Sequence, residues 1–314
     1  MEDRLVEDVR AGLARPPRSL PCRWLYDQEG SRLFEEICRV PEYYIPAAER
    51  EILARHAEEI LASAPPEASI VELGSGSAEK TRLLFDAALR ARPQVRYVPI
   101  DISASALETS SARLQADYPG LIIQSVCAEY EDGLQHLGTG PRLVLWLGSN
   151  IGNFDRAAGA AFLRRVGARL APRDRLLVGI DRRKRRDVLE LAYDDPAGVT
   201  ARFSKNVLRR LNDELGADFD LDAFRHRAVY DPDAGRVSMY LVSERAQKVR
   251  IPGVPMEISL AAGEAIHTED SYKYSDEEVR ALAAAAGLRI ERMFTDRAER
   301  FYDVVFSVAP RSSR

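Results

Sequence analysis

The sequence predicts an α/β protein built around a parallel β-sheet, with a smaller α+β region inserted late in the chain. Three observations support this fold class. Apolar runs alternate with helical segments between residues 69 and 181, which is typical of parallel strands joined by helices. The first run, "SIVELGSG" (69–76), ends in glycines. Two final runs, 288–296 and 301–310, predict an antiparallel hairpin that completes the sheet.

Each element has its own signal. The predicted parallel strands are 69–76, 95–101, 121–130, 141–150 and 174–181. Right-handed crossovers between such strands place helices on both faces of the sheet. After about residue 184 the alternation stops, and helical segments and a hairpin around a Pro-Asp-Ala-Gly turn follow. Ser275 and Glu278 form a capping box, so a helix is expected from there to Gly287.

This pattern predicts two domains. Residues 61–194 and 277–314 are expected to form the domain with the parallel sheet. Residues 1–60 and 195–276, the N-terminal helices and the insertion, are expected to form the smaller domain. An insertion above the strand ends is a common position for a substrate pocket.

Composition and charge exclude several functional classes. The 314 residues are 46% hydrophobic and 30% charged, as in ordinary globular proteins. The net charge of −4 gives no reason to expect a nucleic-acid partner. No apolar run approaches the roughly 20 residues of a membrane span, and no signal-peptide pattern is present. We therefore expect a cytoplasmic protein, a monomer with no nucleic-acid or membrane partner.

Cysteine and histidine usage argues against a metal site. Cys22, Cys38 and Cys127 are scattered and odd in number, which indicates a reducing compartment and no disulfide framework. The four histidines show no metal-binding spacing. The sequence therefore predicts chemistry without a metal.

The glycine turn after the first strand predicts a nucleotide-bearing ligand. Gly74 and Gly76 let the backbone approach a ligand, and Asp101 ends the second strand where a carboxylate can accept from ribose hydroxyls. A nicotinamide or flavin enzyme normally has a third glycine where this chain has Glu79. A methyltransferase that uses S-adenosylmethionine needs only a short glycine turn and often ends in an antiparallel hairpin. These features favour the methyltransferase.

Glu129 and Tyr130 follow the third predicted strand. This is where such folds commonly hold adenine, with the acid accepting from the exocyclic amine and the ring stacking on the base. A solvated glutamate at a strand end is the alternative explanation.

Six blocks of the sequence together carry a family resemblance. They are "WLYDQEGSRLFEEICRVPEYY" (24–44), "VELGSGSAEKTR" (71–82), "WLGSNIGNF" (146–154), "AYDDPAGVTARFSKNVLRRLN" (192–212), "ADFDLDAF" (217–224) and "IHTEDSYKYS" (266–275). With them the chain closely resembles, over nearly its whole length, the histidine Nα-methyltransferases of ergothioneine biosynthesis. The resemblance implies trimethylation of the α-amine of L-histidine by S-adenosylmethionine, giving hercynine, the first step of that pathway, and S-adenosylhomocysteine. It also implies a Rossmann-like class I methyltransferase domain and a smaller substrate domain.

The resemblance assigns the cofactor residues one by one. Gly74 and Lys80 match cofactor-binding positions, Gly76 completes the glycine turn, and Asp101 matches the ribose acid. Glu129-Tyr130 departs from the Asp-Phe pair of the family, which puts the adenine assignment in doubt.

The resemblance also assigns the groups around the reacting amine. Asn153 and Tyr193 match positions that hold the α-carboxylate and α-amine of the amino acid, and Tyr26 and Tyr43 match tyrosines at the reacting nitrogen. A tyrosine hydroxyl can accept a hydrogen bond or relay a proton, and its ring face attracts an ammonium ion. We expect Tyr26 and Tyr43 to orient and handle the amine without covalent catalysis.

The polar strip 266–274 matches the imidazole pocket through Glu269 and Ser271, with Met239 more peripheral. If the strip is extended, His267, Glu269, Ser271 and Lys273 share one face. A carboxylate can then accept from one ring nitrogen of histidine while a hydroxyl donates to the other. His267 and Lys273 are expected to be solvated neighbours.

Three other functions stay open on the sequence alone. A related amino-acid N-methyltransferase could act on tryptophan or another amino acid, although an indole offers one donor and no acceptor to Glu269 and Ser271. A small-molecule-binding protein could have kept the fold and lost turnover. A nucleotide-dependent oxidoreductase is the remaining class.

Overall fold

The structure, a computed structural model, describes residues 2–308 in two compact units. The insertion unit comprises Met1–Tyr44 and Lys184–Ser271, and the sheet unit comprises Ile45–Arg183 and Tyr272–Arg314. The predicted limits of this unit were residues 61, 194 and 277, whereas the observed limits are residues 45, 183 and 272. The helix that begins at Ile45 therefore belongs to the sheet unit.

The α-helices of the described chain are α1 (Glu2–Leu13), α2 (Gln28–Ile37), α3 (Ile45–Ala62), α4 (Arg82–Ala91), α5 (Ala104–Asp117), α6 (Tyr130–Gly133), α7 (Arg156–Arg169), α8 (Arg186–Tyr193), α9 (Val199–Leu215) and α10 (Asp276–Ala286). None of these helices within residues 2–308 is long and apolar enough to cross a membrane.

The strands are β1 (Arg18–Ser19), β2 (Ser69–Leu73), β3 (Val95–Asp101), β4 (Leu121–Ile123), β5 (Val126–Cys127), β6 (Arg142–Trp146), β7 (Arg175–Asp181), β8 (Phe224–Asp231), β9 (Arg236–Ser243), β10 (Gln247–Ile251), β11 (Met256–Leu260), β12 (Ala265–Tyr272), β13 (Leu288–Thr295) and β14 (Phe301–Val308).

The sheet unit contains a mixed sheet in the order β13-β14-β7-β6-β2-β3-β4, with β5 also paired to β3. Strands β2, β3, β4, β6 and β7 run parallel, and β14 runs antiparallel between β7 and β13. The central residues of β2, β3, β6, β7 and β14 are buried, as expected for strands covered on both faces, whereas Ile122 in the middle of β4 is 47% exposed. The predicted α/β fold with an antiparallel C-terminal hairpin is confirmed.

Local differences from the predicted elements have local causes. The predicted strand 121–130 is divided into β4 and β5. The predicted strand 141–150 ends at Trp146, because the chain then turns through Ser149, whose φ is +59°. The last two residues of the predicted strand 301–310 lie outside the described residues. Helix α2 and the hairpin β10–β11 were not predicted.

The capping prediction for α10 is confirmed. The Ser275 hydroxyl accepts from the Glu278 backbone N–H at 3.3 Å, and the Glu278 carboxylate accepts from the Ser275 N–H at 2.7 Å. Gly287 follows the helix with a left-handed backbone, as predicted.

The insertion unit has a four-stranded sheet in the order β1-β12-β9-β8 and a separate hairpin, β10–β11. Strands β8 and β9 pair from Phe224 opposite Ser243 to Asp231 opposite Arg236, around the predicted Pro-Asp-Ala-Gly turn. Residues on β8 alternate between buried and more exposed positions, so one face of this sheet packs inward.

The structure corrects the expectation for Lys273. This residue is fully buried, and its ammonium lies 2.7 Å from the carboxylate of Asp181, which is also fully buried. The backbone adds a further tie, because the N–H of Tyr274 donates to the carbonyl of Asp181 at 2.9 Å. Lys273 is therefore the counter-charge of a buried acid at the end of β7, and its description as a solvated neighbour is wrong.

Replacing Lys273 by Met is expected to destabilise the protein strongly, because it leaves the Asp181 carboxylate buried without its cation. Breaking one side of a buried pair costs about 3–5 kcal/mol. Lys248→Met is the matched control, since Lys248 pairs with Glu257 at 3.5 Å with both side chains at least half exposed; its expected cost is below about 1 kcal/mol. Chemical denaturation measures both free energies of unfolding, and equal losses would contradict this account.

Candidate active site

The glycine turn of the sheet unit lies at the carboxyl end of β2. Gly74 has a φ of +72°, and a Cβ added there would lie 2.8 Å from the Tyr130 hydroxyl oxygen and 3.1 Å from Nδ2 of Asn150. Its N–H donates to the carbonyl of Ile100 at 2.7 Å. Gly76 has a φ of +49° and faces open space. A side chain is therefore excluded at Gly74 by both backbone and contacts, and at Gly76 by backbone alone.

Asp101 ends β3 beside this turn. Its carboxylate accepts from the N–H of Gly76 at 2.8 Å and from the N–H of Ser103 at 2.9 Å. Burial raises the pKa of Asp101 above its ordinary value, although these N–H groups favour the charged form. The structure thus brings the predicted ribose acid to the predicted glycine turn; its contact with ribose stays a prediction.

Lys80 lies in the same turn and forms an ion pair with Glu49 of α3. Glu49 is fully buried and also accepts from the N–H of Gly148 at 2.8 Å. Glu49 was not predicted as a site residue, although its position in the sequence pattern could have indicated it. It lies on the buried face of α3, at helical spacing from Ile45 and Ile52, where an unpaired acid would be unfavourable.

Glu129 and Tyr130 take different positions. Glu129 is the half-buried residue before α6. The ring of Tyr130 packs against Trp146 and Phe162, with centroids 5.8 and 5.9 Å away. The Tyr130 hydroxyl reaches Gly74, so this side chain borders the glycine turn. Their adenine roles stay a prediction.

Asn153 is placed at the same edge of the sheet. It ends the 3₁₀ turn Asn150–Asn153 that follows β6, and it is half-buried. The preceding Ser149 fixes this turn, because its hydroxyl accepts from the N–H of Asp181 at 3.0 Å. Strand β6 neighbours β2, so Asn153 and the glycine turn belong to adjacent carboxyl ends of parallel strands.

The insertion unit brings three predicted tyrosines into one aromatic cluster. Tyr26 packs edge-on against Phe34 and Phe203, with centroids 5.6 and 5.3 Å apart. Tyr43 contacts Phe34 at 6.3 Å and meets Tyr193 at 5.7 Å with the rings perpendicular. Edge-to-face packing of this kind fixes ring orientation.

Two hydroxyls of the predicted site bond to each other. The Tyr193 hydroxyl and the Ser271 hydroxyl are 2.9 Å apart in a buried position. Burial raises the pKa of the Tyr43 hydroxyl well above its ordinary value, and the nearby Tyr193 and Glu269 act in the same direction. Tyr43 is therefore a neutral phenol that exchanges hydrogen bonds, and Glu269 lies in its neighbourhood.

The strip does not alternate as predicted. His267 Nε2 donates to the Asp270 carboxylate at 3.0 Å, and its ring packs against Tyr240 at 5.4 Å. Residues three apart point to opposite faces in a regular strand. Asp270 also accepts from Ser238, two residues before Tyr240 on β9. His267 and Asp270 therefore share a face, and the prediction of strict alternation is wrong between them.

The remaining predicted pocket residue is Met239. It is buried on β9, and its carbonyl accepts from the Thr268 hydroxyl at 3.2 Å. Its contact with substrate stays a prediction.

The sequence analysis missed two residues beside the predicted pocket. Buried His226 donates from Nε2 to the carbonyl of Tyr193 at 2.8 Å, and burial lowers its pKa, so the ring is neutral. Burial raises the pKa of the Cys22 thiol to about 12, and the nearby Glu269 carboxylate adds to this. His226 could have been found from its position on the buried face of β8.

The sheet order, the glycine turn and the acid that ends β3 are those of a class I methyltransferase that uses S-adenosylmethionine. A family model described as histidine-specific methyltransferase, SAM-dependent, matches residues 5–308. The chain therefore belongs to the family of S-adenosylmethionine-dependent, histidine-specific methyltransferases.

Relatives with curated names agree with this membership. The chain is similar to the histidine N-alpha-methyltransferase of Mycolicibacterium smegmatis, 46% identical over 303 residues covering 95% of this chain and 93% of the relative. The protein of the same name from Mycobacterium tuberculosis is 44% identical over 299 residues, covering 95% and 92%. Ergothioneine biosynthesis protein 1 of Schizosaccharomyces pombe is 34% identical over 275 residues, covering 84% of this chain and 35% of the fungal protein.

A buried acid supports the glycine turn from within the sheet. Glu72 of β2 is almost completely buried and accepts from the Tyr97 hydroxyl at 2.5 Å and the Thr81 hydroxyl at 2.8 Å. Burial raises the pKa of Glu72 to about 7, although these hydrogen bonds act against the shift. Near pH 7 the Glu72 carboxyl is therefore about half protonated in the folded protein, whereas in the unfolded chain it is ionised.

This proton makes stability depend on pH with a definite sign. The contribution is fully present below the unfolded pKa and is lost as the pH rises through about 7. Between about pH 5 and about pH 8 the wild-type free energy of unfolding should fall by about 2–3 kcal/mol relative to that of Glu72→Gln. The exposed Glu108→Gln variant should follow the wild type. Urea denaturation across this range measures the difference, and parallel curves for wild type and Glu72→Gln would refute it.

Proposed function

We propose that the chain transfers three methyl groups in succession from S-adenosylmethionine to the α-amine of L-histidine. The product is hercynine, and the reaction is the first step of ergothioneine biosynthesis. The family match over residues 5–308 carries this proposal. The near-full-length similarity to two mycobacterial histidine N-alpha-methyltransferases supports it.

The carboxyl edge of the sheet fits the cofactor. Gly76 faces open space, so its backbone can be approached by a ligand, and Asp101 stands beside the turn as an acceptor for ribose hydroxyls. Lys80 supplies a cation for the carboxylate of the cofactor, and Glu129 with Tyr130 borders adenine. When bound, the cofactor supplies an electrophilic methyl group for a direct displacement, which requires no metal.

The insertion unit supplies the groups that recognise histidine. Glu269 accepts from one ring nitrogen, and the Ser271 hydroxyl, already held by Tyr193, serves the other. Met239 borders the ring. Indole offers no acceptor to the second of these groups, so this pair favours imidazole over tryptophan.

The amino-acid end of the substrate meets amide and phenol groups. Asn153 can both donate and accept, which suits a zwitterion, and Tyr193 serves the same end. Tyr26 and Tyr43 orient the amine, because neutral phenols accept from its N–H groups. Each transfer forms an N–CH3 bond, breaks the S–CH3 bond of the cofactor and releases one proton from the nitrogen, which a tyrosine hydroxyl can relay to water. Each transfer also removes one N–H donor, and after the third the aromatic faces stabilise the quaternary ammonium ion.

The activity assay discriminates among the candidate functions. The protein is incubated with S-adenosylmethionine and each common amino acid, and products are read by mass spectrometry. We expect histidine alone to gain three methyl groups. Trimethylated tryptophan without methylated histidine would support the alternative substrate class. No methylated amino acid at all would contradict the assignment as an amino-acid methyltransferase.

Binding to a substituted pocket tests the role of Glu269. Glu269→Ala should weaken histidine binding by about 10- to 100-fold, the range for loss of a charge-assisted hydrogen bond. The affinity for S-adenosylhomocysteine should stay within about twofold. Asp270→Ala is the matched control, because Asp270 is the adjacent acid and pairs with His267 and Ser238. Calorimetry showing equal losses for both ligands in Glu269→Ala would rule out the pocket role.

A further inference from the structure

One carboxylate joins two turns of the sheet unit. Glu49 of α3 accepts from the N–H of Gly148 through both oxygens, at 2.8 and 3.0 Å, and forms an ion pair with Lys80. Gly148 follows β6, and Lys80 lies in the turn after β2. Strands β2 and β6 are parallel neighbours, so both turns lie at the edge where such sheets bind ligands.

The sheet is shaped to admit this carboxylate. A Cβ added at Gly179 of β7 would lie 2.1 Å from Oε1 of Glu49. The missing side chain therefore leaves the space that Glu49 occupies. Across the sheet, Gly179 pairs in register with Asp303 of β14. A buried acid on the helix is thus matched by a glycine on the strand beneath it.

A second buried acid, Asp303, lies beside Glu49. Asp303 is fully buried, and its carboxyl lies within hydrogen-bond reach of the Glu49 carboxyl. Burial raises its pKa well above the ordinary value, and the neighbouring Glu49 adds to the shift, against the opposing effect of Lys80. The shift favours the protonated form of Asp303 beside the Glu49–Lys80 ion pair.

We propose that Glu49 is a positioning residue that holds the Lys80 ammonium at the carboxyl edge, between the turns after β2 and β6, ready to meet the carboxylate of the cofactor. This inference rests on the proposed function and adds a residue to it. A lysine side chain is long and flexible, so an ammonium that is fixed before binding loses less entropy when a ligand carboxylate arrives. Glu49 is tied to backbone and helix, which gives Lys80 one defined location.

Binding of two nucleoside ligands distinguishes a role of Glu49 in positioning Lys80 from a role in stabilising the fold. S-adenosylhomocysteine carries the amino-acid carboxylate, whereas methylthioadenosine lacks it and keeps the nucleoside. Glu49→Gln should weaken S-adenosylhomocysteine binding by about tenfold or more. It should leave methylthioadenosine binding within about twofold. Asp303→Asn is the matched control, because it replaces the other buried acid of this cluster by an amide of similar size and keeps Glu49 and Lys80. Both affinities should then stay unchanged.

Calorimetry with both ligands decides the outcome. Equal weakening of both ligands in Glu49→Gln, or no weakening of either, overturns the positioning role. Lys80→Met separates this failure from that of the proposed function. If Lys80→Met weakens the binding of S-adenosylhomocysteine selectively and Glu49→Gln does not, only the positioning role of Glu49 is contradicted. If Lys80→Met binds both ligands with the affinity of the wild type, the proposed role of Lys80 in cofactor binding is contradicted as well.

A second variant covers the case in which Glu49→Gln does not fold. Glu49→Asp keeps the charge but shortens the side chain by one methylene, so the anion is drawn back from Lys80. It should again weaken S-adenosylhomocysteine and spare methylthioadenosine, and loss of both ligands to the same extent overturns the proposal.

Discussion

At Gly74 the backbone turns with a φ of +72°, and an added Cβ would come within 2.8 Å of the Tyr130 hydroxyl oxygen. This steric constraint sets the arrangement at the carboxyl edge of the sheet. Because the turn is narrow, the N–H of Gly76 reaches the carboxylate of Asp101 on the next strand. Lys80, a few residues further on, reaches Glu49. Atoms from separate parts of the sequence thus converge around the turn that contains Gly74 and Gly76.

The elements that follow periodicity could be predicted from sequence. The five parallel strands, the C-terminal hairpin and the capping box of α10 each depend on residues within a short window, so local patterns specify them. The hairpin β10–β11 was not predicted from the sequence. The partners of buried charges could not be predicted. In the sequence, Lys273 is one of several polar residues in the strip 266–274. Its burial depends on the ion pair with Asp181, which lies in a distant part of the sequence.

In the candidate site, too, contacts between residues distant in sequence are harder to predict than local elements. Tyr26, Tyr43 and Tyr193 lie in one aromatic cluster, and Ser271 bonds to Tyr193. Their grouping was expected from the family resemblance, since the blocks that carry them are distant in sequence. His267 and Asp270 share a face and contact side chains of β9, an irregularity that strict alternation along the strip could not predict. Glu49 was missed for the related reason that its partners Lys80 and Gly148 are far along the chain.

The position of the transferred methyl groups tests the central claim most directly. Histidine offers the α-amine and two ring nitrogens, and the account places the imidazole against Glu269 and Ser271, away from the reacting centre. Proton NMR of the product should show three equivalent methyl groups on the α-nitrogen and unmethylated ring nitrogens. Methyl groups on the imidazole would contradict the account, because the ring would then occupy the position assigned to the amine.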